Sequence, residues 1–179
     1  MKVYHIVPPN LQGTQIYPLN ALKNTLPEIY AQQVQKYRGR AELLQRKIPY
    51  LNCTWNDMLH FSPVNPRKLR AAFIQAGFKW NPMYWYEIDP EQVGLNEQNT
   101  VIYLSPIREK DDFTVNDEDF IPFTLEALVM LDSIPKATTD YFNHAKAHNE
   151  NPFLFNFIPH VLYYGTLDIT HAGVSVLEV

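Results

Sequence analysis

Hydrophobic residues recur along this chain in two rhythms, one of every second residue and one of every third or fourth. Val3, Ile6 and Val7 are β-branched and flank Tyr4 and His5, which predicts a strand over residues 1–7. Alternation puts His5 on the face of Val3 and Val7, as a hydrogen-bonded core histidine or as a cleft-facing imidazole. Residues 8–23 hold Gly13 and Pro18 and no sustained rhythm, so they read as a loop, with Leu19 and Leu22 spaced for one turn of helix. Pro27 and Glu28 open a helix, and Tyr30, Val34 and Tyr37 follow at helical spacing. Gly39 breaks that helix, residues 41–47 resume it, and residues 51–57 read as irregular.

The middle of the chain is better punctuated. Leu59, His60 and Phe61 read as a buried strand that Ser62 closes, because Pro63 cannot donate to a sheet ladder. Asn65 caps a helix that starts at Pro66, buries Leu69, Phe73 and Ala76, and stops at Gly77. Further strands are predicted at 83–88 and, after an Asn-rich turn, at 100–104, where Ser105-Pro106 ends the run. Residues 108–119 read as a charged loop around a short 113–115 segment, suited to a substrate-facing insertion. Thr124 caps a helix with Leu125, Leu128, Val129 and Leu131 on its apolar face, and Pro135 stops it. Thr138 or Thr139 caps another, running to about His148. Residues 153–157 read as strand or loop. A strand at 160–164, a turn at Gly165 and a strand at 174–179 close the chain. Strands and helices do not alternate regularly, and no linker or repeat divides the sequence. The expectation is one α+β domain over residues 1–179, with a split, mostly antiparallel or mixed sheet and flanking helices.

Composition narrows the function classes. A chain of 179 residues can bury roughly 70% of the surface its unfolded form exposes. Its 46% hydrophobic and 19% charged content marks a globular chain. A net charge of −4 argues against a broad basic surface and against nonspecific nucleic-acid binding. The basic run Arg38, Arg40, Arg46 and Lys47 reads as a solvated helix face, with a local anion contact as the alternative. The single cysteine, Cys53, excludes an intramolecular disulfide and a multi-cysteine zinc site. It reads as packing rather than as a nucleophile, which would need a base beside it. No apolar run approaches the roughly 20 residues of a membrane helix, and a soluble, cytoplasmic protein without membrane association is expected. Aromatic residues reach 13%, which fits a ring-rich core or a pocket for a flat ligand. There is no glycine-rich phosphate loop and no nucleophile elbow. His144 and His148 stand four apart, one turn after Asp140, at a spacing that suits a metal, but no third ligand is specified and none is expected.

Three stretches together carry a resemblance. Tyr4-His5-Ile6-Val7 resembles the first strand of ADP-ribosyltransferase-like folds. The run from Leu59 to Pro66, with its Phe-Ser-Pro core, resembles the second motif of DNA-targeting ADP-ribosyltransferase toxins. Pro159-His160-Val161-Leu162-Tyr163-Tyr164-Gly165, followed by Ile169 and residues 174–179, resembles their closing hairpin. The chain as a whole also resembles a small bacterial protein family that adds no chemistry. The resemblance implies a split sheet whose cleft holds NAD. Tyr4 and His5 would line that cleft, with His5 bonding the ribose or the nicotinamide amide. Ser62 would support the second strand or touch the nicotinamide ribose. Tyr17 or Phe61 would stack on the nicotinamide. In those toxins a glutamate precedes the last strand, and here that position is His160. An imidazole can act as a general base but cannot supply the negative charge that stabilises an oxocarbenium-like ribose. Another carboxylate, Glu87 or Asp57, would have to serve, or transfer is weak or absent. The related RNA 2′-phosphotransferases, which work with histidine and arginine, offer a third reading in which Arg67, Arg70 and Arg108 bind phosphate. The partners expected are therefore a nucleotide ligand and an acceptor that nucleic acid, protein or a small molecule could provide, with the net charge of −4 arguing mildly against extended nucleic acid. A catalytically inactive nucleotide- or protein-binding module on the same fold is the alternative.

Overall fold

Ser62 is the joint of the molecule. Its amide donates to the Tyr4 carbonyl and its carbonyl accepts from the Tyr4 amide, both at 2.8 Å, and this single bridge ties the first strand to the third. Pro63 follows at once and ends the pairing, as the missing N–H requires. The computed structural model describes residues 1–37, 45–108 and 114–179. Strands β1 (Val3–Ile6), β4 (Tyr84–Ile88) and β9 (Val174–Glu178) form one sheet in the order β1-β4-β9. Strands β3 (Met58–Phe61), β5 (Thr100–Tyr103), β6 (Phe120–Pro122) and β7 (His160–Tyr164) form a second, in the order β3-β7-β5-β6. A short pair, β2 (Gln15–Ile16) and β8 (Leu167–Asp168), stands apart. Every pairing among these strands is antiparallel, so the chain is an α+β protein built on open antiparallel sheets.

Strand alternation sorts the core into layers. Val3, Tyr86 and Ile88 of one sheet meet Leu59, Phe61, Ile102 and Val161 of the other in a shared core. The far face of the three-stranded sheet carries Tyr4 and Trp85. It packs on Leu69 of α3 (Pro66–Gln75) and Phe142 of α5 (Lys136–Ala147). The far face of the four-stranded sheet carries Met58, Val101 and Leu162 under Trp55 and Ile48. Leu69 and Phe142 are fully buried, and each contributes about 1.5–3 kcal/mol by leaving water. They hold the helices on the side of β1 away from the shared core. The remaining helices are α1 (Leu19–Thr25), α2 (Pro27–Gln33), which runs on into a 3₁₀ turn Val34–Tyr37, and α4 (Leu125–Leu131).

Several local expectations change in the structure. Residues 8–23 are not all loop: Leu19 and Leu22 begin a two-turn helix, and Gln15 and Ile16 pair with Leu167 and Asp168. Two-residue strands are too short to carry a rhythm, which is why both escape the pattern. Lys47 bridges Thr54, so no helix extends to that residue, while the predicted break at Gly39 and residues 41–44 lie outside the described residues. Trp55–Asp57 is a 3₁₀ turn that Thr54 and Asp57 cap reciprocally. Helix α5 starts at Lys136 behind Pro135, and Thr138 is interior, its hydroxyl donating to the Asn156 carbonyl at 2.9 Å. Val129 is 62% exposed rather than part of the apolar face. The 113–115 segment falls partly outside the described residues, and residues 153–157 form turns. The Asn65 cap holds, accepting from the Arg67 amide at 2.9 Å, and Gly77 takes φ +89° after α3, a conformation glycine adopts without a Cβ penalty.

Candidate functional site: a cavity in the fork between the sheets

Beyond the Tyr4–Ser62 bridge, β1 and β3 share no further ladder pairs, and a cavity of about 410 Å³ lies where they part. That volume falls in the range of small-molecule sites. One wall is the end of β1, with His5 and Ile6, continued by the turn after Pro8. The floor is Asn56 of the 3₁₀ turn and Met58, Leu59 and His60 of β3. Tyr17, Pro18, Leu19, Leu22, Leu26 and Ile29 form the roof, with Gln33 and Tyr37 at its end.

The roof follows from sequence. Leu19, Leu22, Leu26 and Ile29 recur at three- and four-residue intervals, which puts them on one side of two consecutive helices. Leu26 links the helices with non-helical φ −142° and ψ 71°. Neither α1 nor α2 buries a residue fully, so the roof is held on by few contacts. One of them is polar: Asn20 Nδ2 donates to Asp57 Oδ1 at 2.7 Å and to Thr54 Oγ1 at 3.2 Å, tying α1 to the capped turn. Burial alone would raise the Asp57 carboxyl, but the bonds from Asn20 and Thr54 hold it below the ordinary carboxylate value.

Two imidazoles face the cavity. His5 Nδ1 donates to the Ile6 carbonyl at 2.6 Å, which places a proton on Nδ1. The ring lies edge-on to Phe61, 5.9 Å between centroids. His60 Nε2 donates to the Trp55 carbonyl at 3.3 Å. Burial pushes the His60 pKa down to about 3, with His160 and His5 adding to the fall and the Trp55 carbonyl opposing it. His60 is therefore a neutral ring at neutral pH. A base so weak is poorly matched to proton abstraction near pH 7 and well matched to accepting a hydrogen bond. His160 stands behind it, 6.0 Å from His60 and nearly parallel to Tyr103. Burial lowers its pKa to about 4.

Asn56 is the least expected member. Its side chain is 1% exposed, and neither Oδ1 nor Nδ2 has a hydrogen-bond partner. No lysine, arginine, aspartate or glutamate is among the described residues that line the cavity.

The residues singled out from the sequence divide sharply. His5 and Tyr17 line the cavity. Phe61 is wholly buried beneath it in the shared core. Tyr4 and Glu87 are register partners on the opposite face of β1 from His5. The Tyr4 hydroxyl accepts from Asn65 Nδ2 at 3.0 Å, and burial, with Glu87 beside it, raises its pKa to about 12. Ser62 Oγ accepts from the Val64 amide at 3.1 Å and donates to the Val64 carbonyl at 3.2 Å, a turn bond that shapes the joint. His160 belongs to the aromatic layer behind His60. Arg67 and Arg70 are exposed on α3, and Arg108 pairs with Asp119. Burial lifts the Cys53 thiol to about 11, so little thiolate forms there at neutral pH. His144 and His148 stack 4.0 Å apart, and no cluster of three metal-ligating side chains occurs among the described residues.

Sequence reasoning missed His60 as a cavity residue, although alternation about Leu59 and Phe61 already put it on the other face. It had no means of finding Asn56, which sits in a turn without rhythm. Among the described residues no helix is long and apolar enough to cross a membrane. No family model, curated protein or solved structure matches this chain.

Proposed function

We propose that the fork cavity binds NAD through its nicotinamide–ribose end, in the manner of an ADP-ribosyltransferase-like protein, and that ADP-ribose transfer from it is weak or absent. The observation that carries this reading is the convergence of His5 and Tyr17, two of the five residues the sequence resemblance assigns to NAD, on one cavity with His60. Tyr17 and Tyr37 supply aromatic surface for a flat ring, and His5 and His60 supply polar edges for a ribose or an amide. The catalytic half of the resemblance has less support. No carboxylate is among the described lining residues, and Glu87 lies across the sheet beside Tyr4. Among the described lining residues a developing oxocarbenium ion would find no fixed negative charge. That favours a nucleotide-binding module over an active transferase. The phosphotransferase reading is weaker, because neither Arg67, Arg70 nor Arg108 reaches the cavity wall.

Calorimetric titration with NAD tests the reading. Binding at micromolar strength, about −8 kcal/mol, weakened by His5→Ala and by Tyr17→Ala, is the expected result. No heat at millimolar NAD overturns it. Nicotinamide release is expected to stay at the uncatalysed rate. Release well above that rate, abolished by His5→Ala, would make the protein a transferase and its acceptor, nucleic acid or protein, the next question.

A further inference from the structure

Asn56 presents a donor and an acceptor that the fold leaves unused. The turn that carries it is held by Thr54 and Asp57, whose capping bonds need nothing from the Asn56 side chain. A primary amide that is 1% exposed and bonds to nothing is costly, and native folds rarely keep one without a use. The comparison with Trp85 is instructive. Its Nε1 is also unpartnered, but it is a single donor on a residue packed among Phe155, Leu177 and the α3–α5 layer, away from the cavity. Asn56 lines the cavity, and it offers both halves of a hydrogen-bonded pair.

Resting on the reading of the fork as a ligand site, we infer that Asn56 recognises an uncharged carboxamide or lactam edge of the ligand. An amide opposite an amide satisfies Nδ2 with a carbonyl and Oδ1 with an N–H. A carboxylate in the same place offers acceptors only. It would leave Oδ1 facing like charge and would bury an anion where no cationic side chain is among the described lining residues. The neutral state of His60 points the same way, since an imidazolium on the cavity wall would welcome the acid. Asn56 is thus a specificity residue that separates amide-bearing ligands from their acid counterparts.

The test compares nicotinamide with nicotinate, and NAD with its nicotinic-acid analogue, by calorimetry on the wild type and on Asn56→Leu. The wild type is expected to prefer each amide by on the order of a hundredfold, and Asn56→Leu to bring the ratio near one. If Asn56→Leu fails to fold, the wild-type ratio decides alone. Amide and acid binding equally, or a preference that survives Asn56→Leu, overturns the inference and leaves NAD binding standing. Should NAD give no heat while benzamide, uracil or hypoxanthine binds the wild type and not Asn56→Leu, the amide recognition stands and the NAD reading falls. No binding by any of these amides overturns both.

Discussion

Acid should unfold this protein through two histidines before it reaches the carboxylates. His60 and His160 are held neutral in the fold, with pKa values near 3 and near 4, against an ordinary value near 6.5 for the same side chains in the unfolded chain. Between those values the unfolded chain binds more protons than the fold, so stability rises with pH and is lost as pH falls below about 6.5. Each histidine can contribute up to about 1.4 kcal/mol per pH unit in that window. Partial protonation at its edges and the remaining water access trim the pair to roughly 2 kcal/mol between pH 6 and pH 5. Asp57 and Asp89, whose carboxyls are held below their usual range, surrender their contribution only under about pH 4, so the interval belongs to the histidines. His160→Phe keeps a ring against Tyr103 while removing one titrating group. Urea unfolding at pH 6 and pH 5 should show the wild type losing about 2 kcal/mol and the variant about half of that. Equal losses in the two proteins would refute the argument that burial of His160 keeps it uncharged.

Two further outcomes follow from the joint and the roof. Asn20→Ala removes the polar tie between α1 and the 3₁₀ turn, so amide exchange over residues 17–37 should quicken markedly while global stability changes by less than about 1 kcal/mol. Asn65→Ala takes away both the α3 cap and the bond to the Tyr4 hydroxyl, and should cost about 1–2 kcal/mol in urea unfolding at neutral pH.

What the sequence made legible was whatever carried its own period or its own punctuation. The strand His60 sits on, the Asn65 cap, the Gly77 stop and the strand His160–Tyr164 were all readable, because β-branched runs, proline and glycine act locally. The α+β architecture with antiparallel sheets followed from their order. The joint at Ser62 was half legible: the serine-proline stop could be read, but its pairing with Tyr4 joins distant parts of the chain. The cavity was legible on one side only. His5 follows from alternation, and Tyr17 came from resemblance. Asn56 became a cavity residue through the packing of a capped turn beneath α1, which no local pattern encodes. Glu87 illustrates the converse. It sits one residue from Tyr86 in sequence, and the pleat of β4 puts it on the opposite face of the sheet from His5.

The order in which these strands appear along the chain has a consequence for synthesis. Strands β7, β8 and β9 come last, and each pairs with a strand from the first half of the sequence: β3, β2 and β4. A chain emerging from the ribosome can pair β1 with β4 early, but β2 and β3 must wait for residues 160–168 before either has its partner. The floor of the cavity and the lining residues Gln15 and Ile16 are therefore among the last parts to take shape. Until then the nascent chain presents unsatisfied strand edges rich in aromatic residues, the kind of surface that chaperones hold and that aggregation exploits. Ligand added during synthesis would find its site only after residues 160–168 have left the exit tunnel.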